Sequence, residues 1–247
     1  MEKVYLILGA SSDLGIELIK NIIKSEGAEK IRMIAHYFSS GAEIQNIKDN
    51  NPDFRIDMLN ANLGDLEDTR KFIEQLKALE CRPDYILNFC AYAYRFNRLS
   101  ELDIKRMNFD MTIQVYSFAL ICQAFLPVMA ESGFGKIVVM LSAATTNIPP
   151  KNTTEYTTVK YALLGLIKSI AADYGEYGIN INAVSPGMIE TKFIKNIGRK
   201  VKEFTAEKNP RHRNLQVSDV VPAIMFLLSD ESQFMNGTNI NLSGIPD

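Results

Sequence analysis

Cysteine is scarce, with only Cys81, Cys90 and Cys122 in 247 residues. Three scattered thiols cannot build a disulfide framework or a zinc cluster. They read as reduced thiols in a cytoplasmic protein. Histidine is scarcer, with His36 and His212 alone. A His-based metal site or a Ser-His-Asp hydrolase triad is therefore poorly supported, and no metal is expected. An excess of one charge is also missing: 27 Lys+Arg against 29 Asp+Glu leaves a net charge of −2. That provides no basic field for nucleic acid. The longest apolar stretch, around 118–130, is broken by Gln123 and Pro127 and reads as too short to span a bilayer. No membrane partner is expected. Met1–Lys3 runs straight into strand-like Val4–Leu8, which does not read as a secretory leader. Internal repeats, low-complexity stretches and Pro/Gly-rich linkers are absent.

What remains is an ordinary globular balance, 47% hydrophobic and 23% charged. The length suits a single domain over 1–247 with a sizeable core. Short apolar runs alternate with longer helical patterns. Strands are predicted at 4–8, 31–35, 55–58, 85–89, 136–141, 180–185 and 239–242, several apolar on both faces. Helices are predicted at 14–24, 68–79, 103–131, 155–174 and 218–228, the last starting at Ser218–Asp219 without a full capping box. Repeated β-α-β units imply an α/β fold, a doubly wound parallel sheet of Rossmann type with helices on both faces. The segment 188–216 has no confident strand and reads as a lid.

After the first strand, Gly9-Ala10-Ser11-Ser12-Asp13-Leu14-Gly15 leads into a helix. A glycine turn there lets backbone N–H groups approach a pyrophosphate at the helix N-terminus, and Ser11 and Ser12 add hydroxyls. Asp13 is awkward beside an anion, and is tolerable if it turns outward and caps the helix. Tyr156 and Lys160 stand at i and i+4 on one helix face. A nearby ammonium favours phenolate, so Lys160 is expected to lower the Tyr156 pKa. Ser142 ends the strand at 136–141, where ligands bind in open α/β sheets. Ser142 would hold a carbonyl oxygen, Tyr156 would protonate it, and Lys160 would tune Tyr156 and grip a ribose.

These residues together resemble the classical short-chain dehydrogenase/reductases over nearly the whole chain, with a likeness to the 3-oxoacyl-[acyl-carrier-protein] reductases. Gly9–Gly15 looks like the family's glycine motif with Asp13 replacing the middle glycine. Asn62-Leu63 falls where the family holds the adenine. Asn88-Phe89-Cys90-Ala91 is similar to the Asn-Asn-Ala-Gly motif after the fourth strand, altered beyond Asn88. The stretch 178–191, with Pro186, Gly187, Ile189 and Thr191, closely follows the pattern before the substrate loop, and 209–213 is similar to the segment that closes it. Ser243 and Ile245 replace an acid and a glycine of the C-terminal end. The resemblance implies hydride transfer between nicotinamide and a carbonyl carbon, with Tyr156 moving the proton. Pro186, Gly187, Ile189 and Thr191 would line the nicotinamide and its phosphate, and Asn88, Cys90 and Ala91 would border the dinucleotide. It also implies a homo-oligomer, a dimer or tetramer built on the helices around 103–131 and 155–174.

Gln114 occupies the place of the family's catalytic Asn, one methylene longer. At the end of the second strand, Ala35-His36-Tyr37-Phe38-Ser39-Ser40 contains no acid. NAD users place one there, so NADP(H) is favoured over NAD(H), with His36, Ser39 and Ser40 as donors to a 2′-phosphate and Tyr37 beside it. Tyr92, Tyr94 and Phe96 suggest an aromatic wall for the substrate, which would also meet 144–154 and the lid. The leading expectation is reduction of a 3-oxoacyl thioester, carrier- or CoA-linked, or a similar small ketone. A sugar or nucleotide-sugar dehydrogenase is the alternative. A non-catalytic dinucleotide-binding protein is the third reading, motivated by Asp13, Ala91 and Gln114.

Overall fold

The computed structural model describes residues 2–146 and 148–244. Seven parallel strands form one sheet: β1 (Lys3–Leu8), β2 (Ile31–Tyr37), β3 (Arg55–Asn60), β4 (Tyr85–Asn88), β5 (Gly135–Met140), β6 (Ile179–Pro186) and β7 (Asn239–Leu242). Their spatial order is β3-β2-β1-β4-β5-β6-β7. Sequence order reverses beside β1, so the carboxyl ends of β1 and β4 open a crevice. All seven expected strands are present, and their bounds move by only a few residues. The central strands are buried on both faces, which is why they read as continuous apolar runs.

Among the described residues there are eight α-helices: α1 (Asp13–Ser25), α2 (Ala42–Asn50), α3 (Leu66–Ala78), α4 (Ile104–Met111), α5 (Ser117–Ser132), α6 (Thr154–Tyr174), α7 (Arg199–Lys208) and α8 (Val217–Leu228). One core lies between the sheet and α3, α5 and α6, centred on Phe72, Phe118, Phe125 and Leu163. The other lies under α1, α2 and α8, around Leu18, Ile19, Ile44 and Ile224. Helices α2 and α7 are additional to the expected five. α2 buries only Ile44 and Ile47, and α7 buries nothing, so neither leaves a periodic apolar stripe to read.

Helix starts follow side-chain caps. Ser12 accepts from the Gly15 N–H at 3.1 Å, and Asp65 and Asp103 cap α3 and α4 in the same way. At α8 the cap is Gln216, which forms a capping box with Asp219, two residues before the expected Ser218. The expected helix at 103–131 is α4 and α5 joined through a π-turn at Thr112–Tyr116. The continuous run Ile104–Ser132 is 29 residues, so it is long and apolar enough to cross a membrane by length and composition. That corrects the reading from the broken stretch alone. Phe118, Ile121, Phe125 and Met129 of this run are buried in the core.

Candidate active site

The glycine turn is shaped by backbone contact. Gly9 sits at φ +73°, a left-handed conformation natural to glycine, and a Cβ there would also lie 3.1 Å from the Cys90 nitrogen. A Cβ on Gly15 would lie 2.6 Å from the Ala10 carbonyl oxygen, so only glycine lets α1 close on the turn. This cradle at the N-terminus of α1 fits a pyrophosphate. Asp13 does not cap the helix, because Ser12 already does. The Asp13 carboxylate turns to the lid instead: it accepts the Lys192 N–H at 2.7 Å, and the Lys192 ammonium lies 3.5 Å away. That ammonium also reaches Glu43 of α2 at 2.5 Å. The 188–216 segment is thus tied to the glycine turn.

His36 does not face a 2′-phosphate. It is 2% exposed; Gly9 N–H donates to its Nδ1 at 3.1 Å, which leaves Nε2–H to donate to the Ala61 carbonyl at 3.1 Å. Burial lowers its pKa to about 4. Both ring nitrogens are engaged because the ring points beneath the turn, and the expectation of a phosphate donor fails for that reason. Tyr37 packs against Gly41. Asn62 folds over its own turn, accepting the Gly64 N–H at 3.0 Å, while Leu63 is buried in the core.

A cleft of about 1210 Å³ opens along the carboxyl ends of the strands. Ser11, Ser12, Asp13 and Leu14 border it at one end. Ser142, Tyr156 and Lys160 border it together with Ala91. Pro186, Gly187, Ile189 and Thr191 line it from the segment after β6. Asn88 and Cys90 lie behind this surface. Asn88 is 2% exposed, with its Oδ1 accepting the Cys90 N–H at 3.1 Å and its Nδ2 buried without a partner. Burial pushes the Cys90 thiol up to about 12.

Ser142 follows β5, and Tyr156 and Lys160 share a face of α6, so the strand end and the helix converge. The Ser142 hydroxyl accepts the Ala144 N–H at 3.2 Å and stands in the same cleft lining as the Tyr156 phenol. Burial pushes Tyr156 up to about 12, and Ser142 acts against that shift. The expectation that Lys160 would supply the lowering is corrected: its Nζ donates to the Met140 carbonyl at 2.8 Å and lies 5.8 Å from the phenol ring centroid. Lys160 itself is 2% exposed, and burial draws its pKa down to about 8.

The aromatic wall holds in two of three positions. Tyr94 meets the Tyr156 ring edge-on at 4.7 Å and Phe96 at 5.1 Å. Tyr92 turns away to pack on Phe109 under the Arg106 guanidinium. The lid supplies a residue that nothing in the local sequence marks: Phe193 lies 6.0 Å from Tyr94 and 6.5 Å from Tyr156. The 188–216 segment is partly helical and lines the cleft with Ile197, Val201 and Phe204 of and beside α7. Glu155 is another residue the sequence did not single out. It is buried, and accepts from Asn97 Nδ2 at 2.5 Å and the Asp103 N–H at 2.9 Å, which pins the 95–103 loop beside Tyr156. Ser243 lines the cleft, whereas Ile245 lies outside the described residues.

A family model described as enoyl-(acyl carrier protein) reductase matches residues 20–244. The chain is a short-chain dehydrogenase/reductase. Oxidoreductase UcpA of Salmonella typhimurium is 27% identical over 252 residues, covering 98% of this chain and 93% of that one. A 3-oxoacyl (acyl-carrier-protein) reductase from Agrobacterium tumefaciens with NADP bound superposes with a TM-score of 0.84 at 22% identity, covering 98% and 93%. A 4-hydroxyisoleucine dehydrogenase complexed with NADH superposes with a TM-score of 0.86 at 22% identity, covering 98% of each. At these identities the two structures speak for the fold. As a member of the family, this protein is an oxidoreductase of alcohol and ketone groups on an NAD(P)-binding fold.

Proposed function

We propose that this short-chain dehydrogenase/reductase reduces a ketone at the expense of NADPH, with a 3-oxoacyl thioester or a similar apolar ketone as substrate. The observation that carries the reading is the convergence of Ser142, Tyr156 and Lys160 in a cleft whose outer half is walled by Tyr94, Phe96 and Phe193. The nicotinamide supplies the hydride. The Ser142 hydroxyl orients the carbonyl oxygen, and Tyr156 O–H gives its proton to the developing alkoxide. Lys160, fully buried beside Tyr156, returns a proton to the phenolate and is itself recharged from solvent. The aromatic and aliphatic lining excludes water, which favours an acyl chain over a free sugar. Lys151, Lys195 and Lys208 border the cleft and suit the phosphate of a carrier or CoA arm.

The preference for NADPH rests on the absence of an acid from 35–40 at the end of β2, with exposed Ser39 and Ser40 as the available donors. Asn62, Asn88 and Ala91 are assigned to the dinucleotide, and Gln114 to the proton path behind Lys160. A homodimer or tetramer through the α4–α5 and α6 faces belongs to the same proposal. The test is a titration with NADPH and NADH followed by nicotinamide fluorescence, then a panel of 3-oxoacyl-CoA, sugar and cyclic ketone substrates. NADPH is expected to bind more tightly and 3-oxoacyl-CoA to turn over fastest. Failure of both cofactors to bind below millimolar concentration would overturn the proposal.

A further inference from the structure

On α4, which packs against the α6 helix that carries Lys160, lies a carboxylate that no part of the reaction scheme uses. Asp110 of α4 is 9% exposed and stands one turn before Gln114, which is fully buried in the π-turn. Gln114 Nε2 donates to Asp110 Oδ1 at 2.6 Å, and the Tyr92 N–H donates to the same oxygen at 3.2 Å. An ionised carboxylate only accepts hydrogen bonds, so it selects one orientation of the Gln114 amide. The amide nitrogen is held toward Asp110, and the amide oxygen is left buried without a partner. Asn88 Nδ2, behind the cleft surface, is likewise a buried donor without a partner. Buried polar groups are rarely left so unless water or an exchanging proton serves them.

The charges around Asp110 point the same way. The cations acting on it are Arg106 of its own helix and Lys160 of α6. Arg106 is already taken by the Ala93 carbonyl, the Tyr92 ring and Glu155. Among the described residues Lys160 is bound only to the neutral Met140 carbonyl, with Cys90 and the Tyr156 ring as its other titratable neighbours. Burying a cation beside a neutral carbonyl is costly unless an opposite charge is near. We propose that Asp110 is a positioning residue of this active site, holding Gln114 with its oxygen free as an acceptor and serving as the buried counter-charge that keeps Lys160 protonated. The proposal rests on the reading that Lys160 recharges Tyr156. Burial raises the Asp110 pKa and lowers that of Lys160, while each group opposes the shift of the other.

The test follows Lys160 in the full-length protein without substrate. Lysine labelled with ¹³C at Cε is titrated by NMR, and the Lys160 resonance is the one missing from Lys160→Met. In Asp110→Asn the midpoint is expected to fall by about one pH unit. The high-pH limb of kcat should move down with it, so turnover above the limb slows by about tenfold, while the KM for the cofactor stays within about twofold. Gln114→Leu, which keeps the carboxylate, should lower kcat without lowering the Lys160 midpoint. An unmoved midpoint in folded Asp110→Asn, or a lowered midpoint in Gln114→Leu, overturns the proposal. The NMR titration needs no turnover, so its failure is distinct from failure of the oxidoreductase reading, which would appear as unchanged turnover in Tyr156→Phe.

Discussion

One aspartate lines the cleft at the glycine turn and another lies buried on α4 against Gln114, and the two surroundings treat the charge differently. At the glycine turn, Asp13 is about one-quarter exposed and shares the Lys192 ammonium with Glu43 in a lattice of charges open to water. At the Tyr156–Lys160 end, Asp110 is buried among Gln114, Tyr92 and the field of Lys160. Exposed pairs are screened and weak, and serve as movable ties. Buried charges are expensive and persist only where geometry and counter-charge compensate them. The wet end suits binding and lid movement; the dry end suits proton transfer at a fixed distance.

The largest effect should come from the dry end. Tyr156→Phe removes the proton donor and is expected to lower kcat by about 10²–10⁴ while the cofactor still binds. Steady-state kinetics alongside a fluorescence titration checks this, and unchanged turnover would remove the dry end from the chemistry.

His36 tests whether the phosphate end is wet throughout, because its ring is buried just below the turn. Its folded pKa of about 4 lies below the ordinary imidazole value of 6.5, so the unfolded chain binds more protons between those values. Stability is therefore expected to fall as pH drops through that window, by about 3 kcal/mol in total. Urea unfolding at a series of pH values checks it, and His36→Asn should flatten the slope. A wild-type slope equal to that of the variant would place the ring in solvent.

Smaller effects sharpen the boundary between the ends. Tyr94→Ala removes an edge-on contact worth about 0.5–1.5 kcal/mol, so the KM for an apolar ketone should rise by roughly 2–10-fold with kcat little changed. Asp13→Gly removes a carboxylate from the phosphate turn and releases Lys192. NADPH should bind about 2–5-fold more tightly, and the gain should shrink as salt is raised. Limited proteolysis should then cut the lid sooner, because its tie to the turn is gone. A gain that ignores salt would mean that Asp13 acts through backbone shape.

Much of the fold was legible because the central strands are buried on both faces and leave apolar runs that punctuation divides cleanly. Ser142, Tyr156 and Lys160 were legible because strand-end placement and i, i+4 spacing are local. His36 was misread because the direction of a side chain at a strand end depends on what packs beneath it. Tyr92 was misread because the 92–96 segment is irregular backbone, where alternation does not sort faces. Asp110 and Gln114 do share a helical spacing, yet neither burial nor the π-turn is written in it.

The sequence by itself determined a doubly wound parallel sheet and the pairing of a phenol with an ammonium on one helix face. These follow from periodicity and short-range spacing, which act along the chain. Only the tertiary structure decided that Lys192 crosses from the lid to Asp13 and Glu43, contacts separated by 179 and 149 residues. It alone decided that Phe193 closes the aromatic wall, that His36 hides under Gly9, and that Asp110 lies buried within the field of Lys160. Those are matters of burial and charge between distant segments. The free energy of a buried carboxylate or a locked imidazole depends on neighbours that no local window contains.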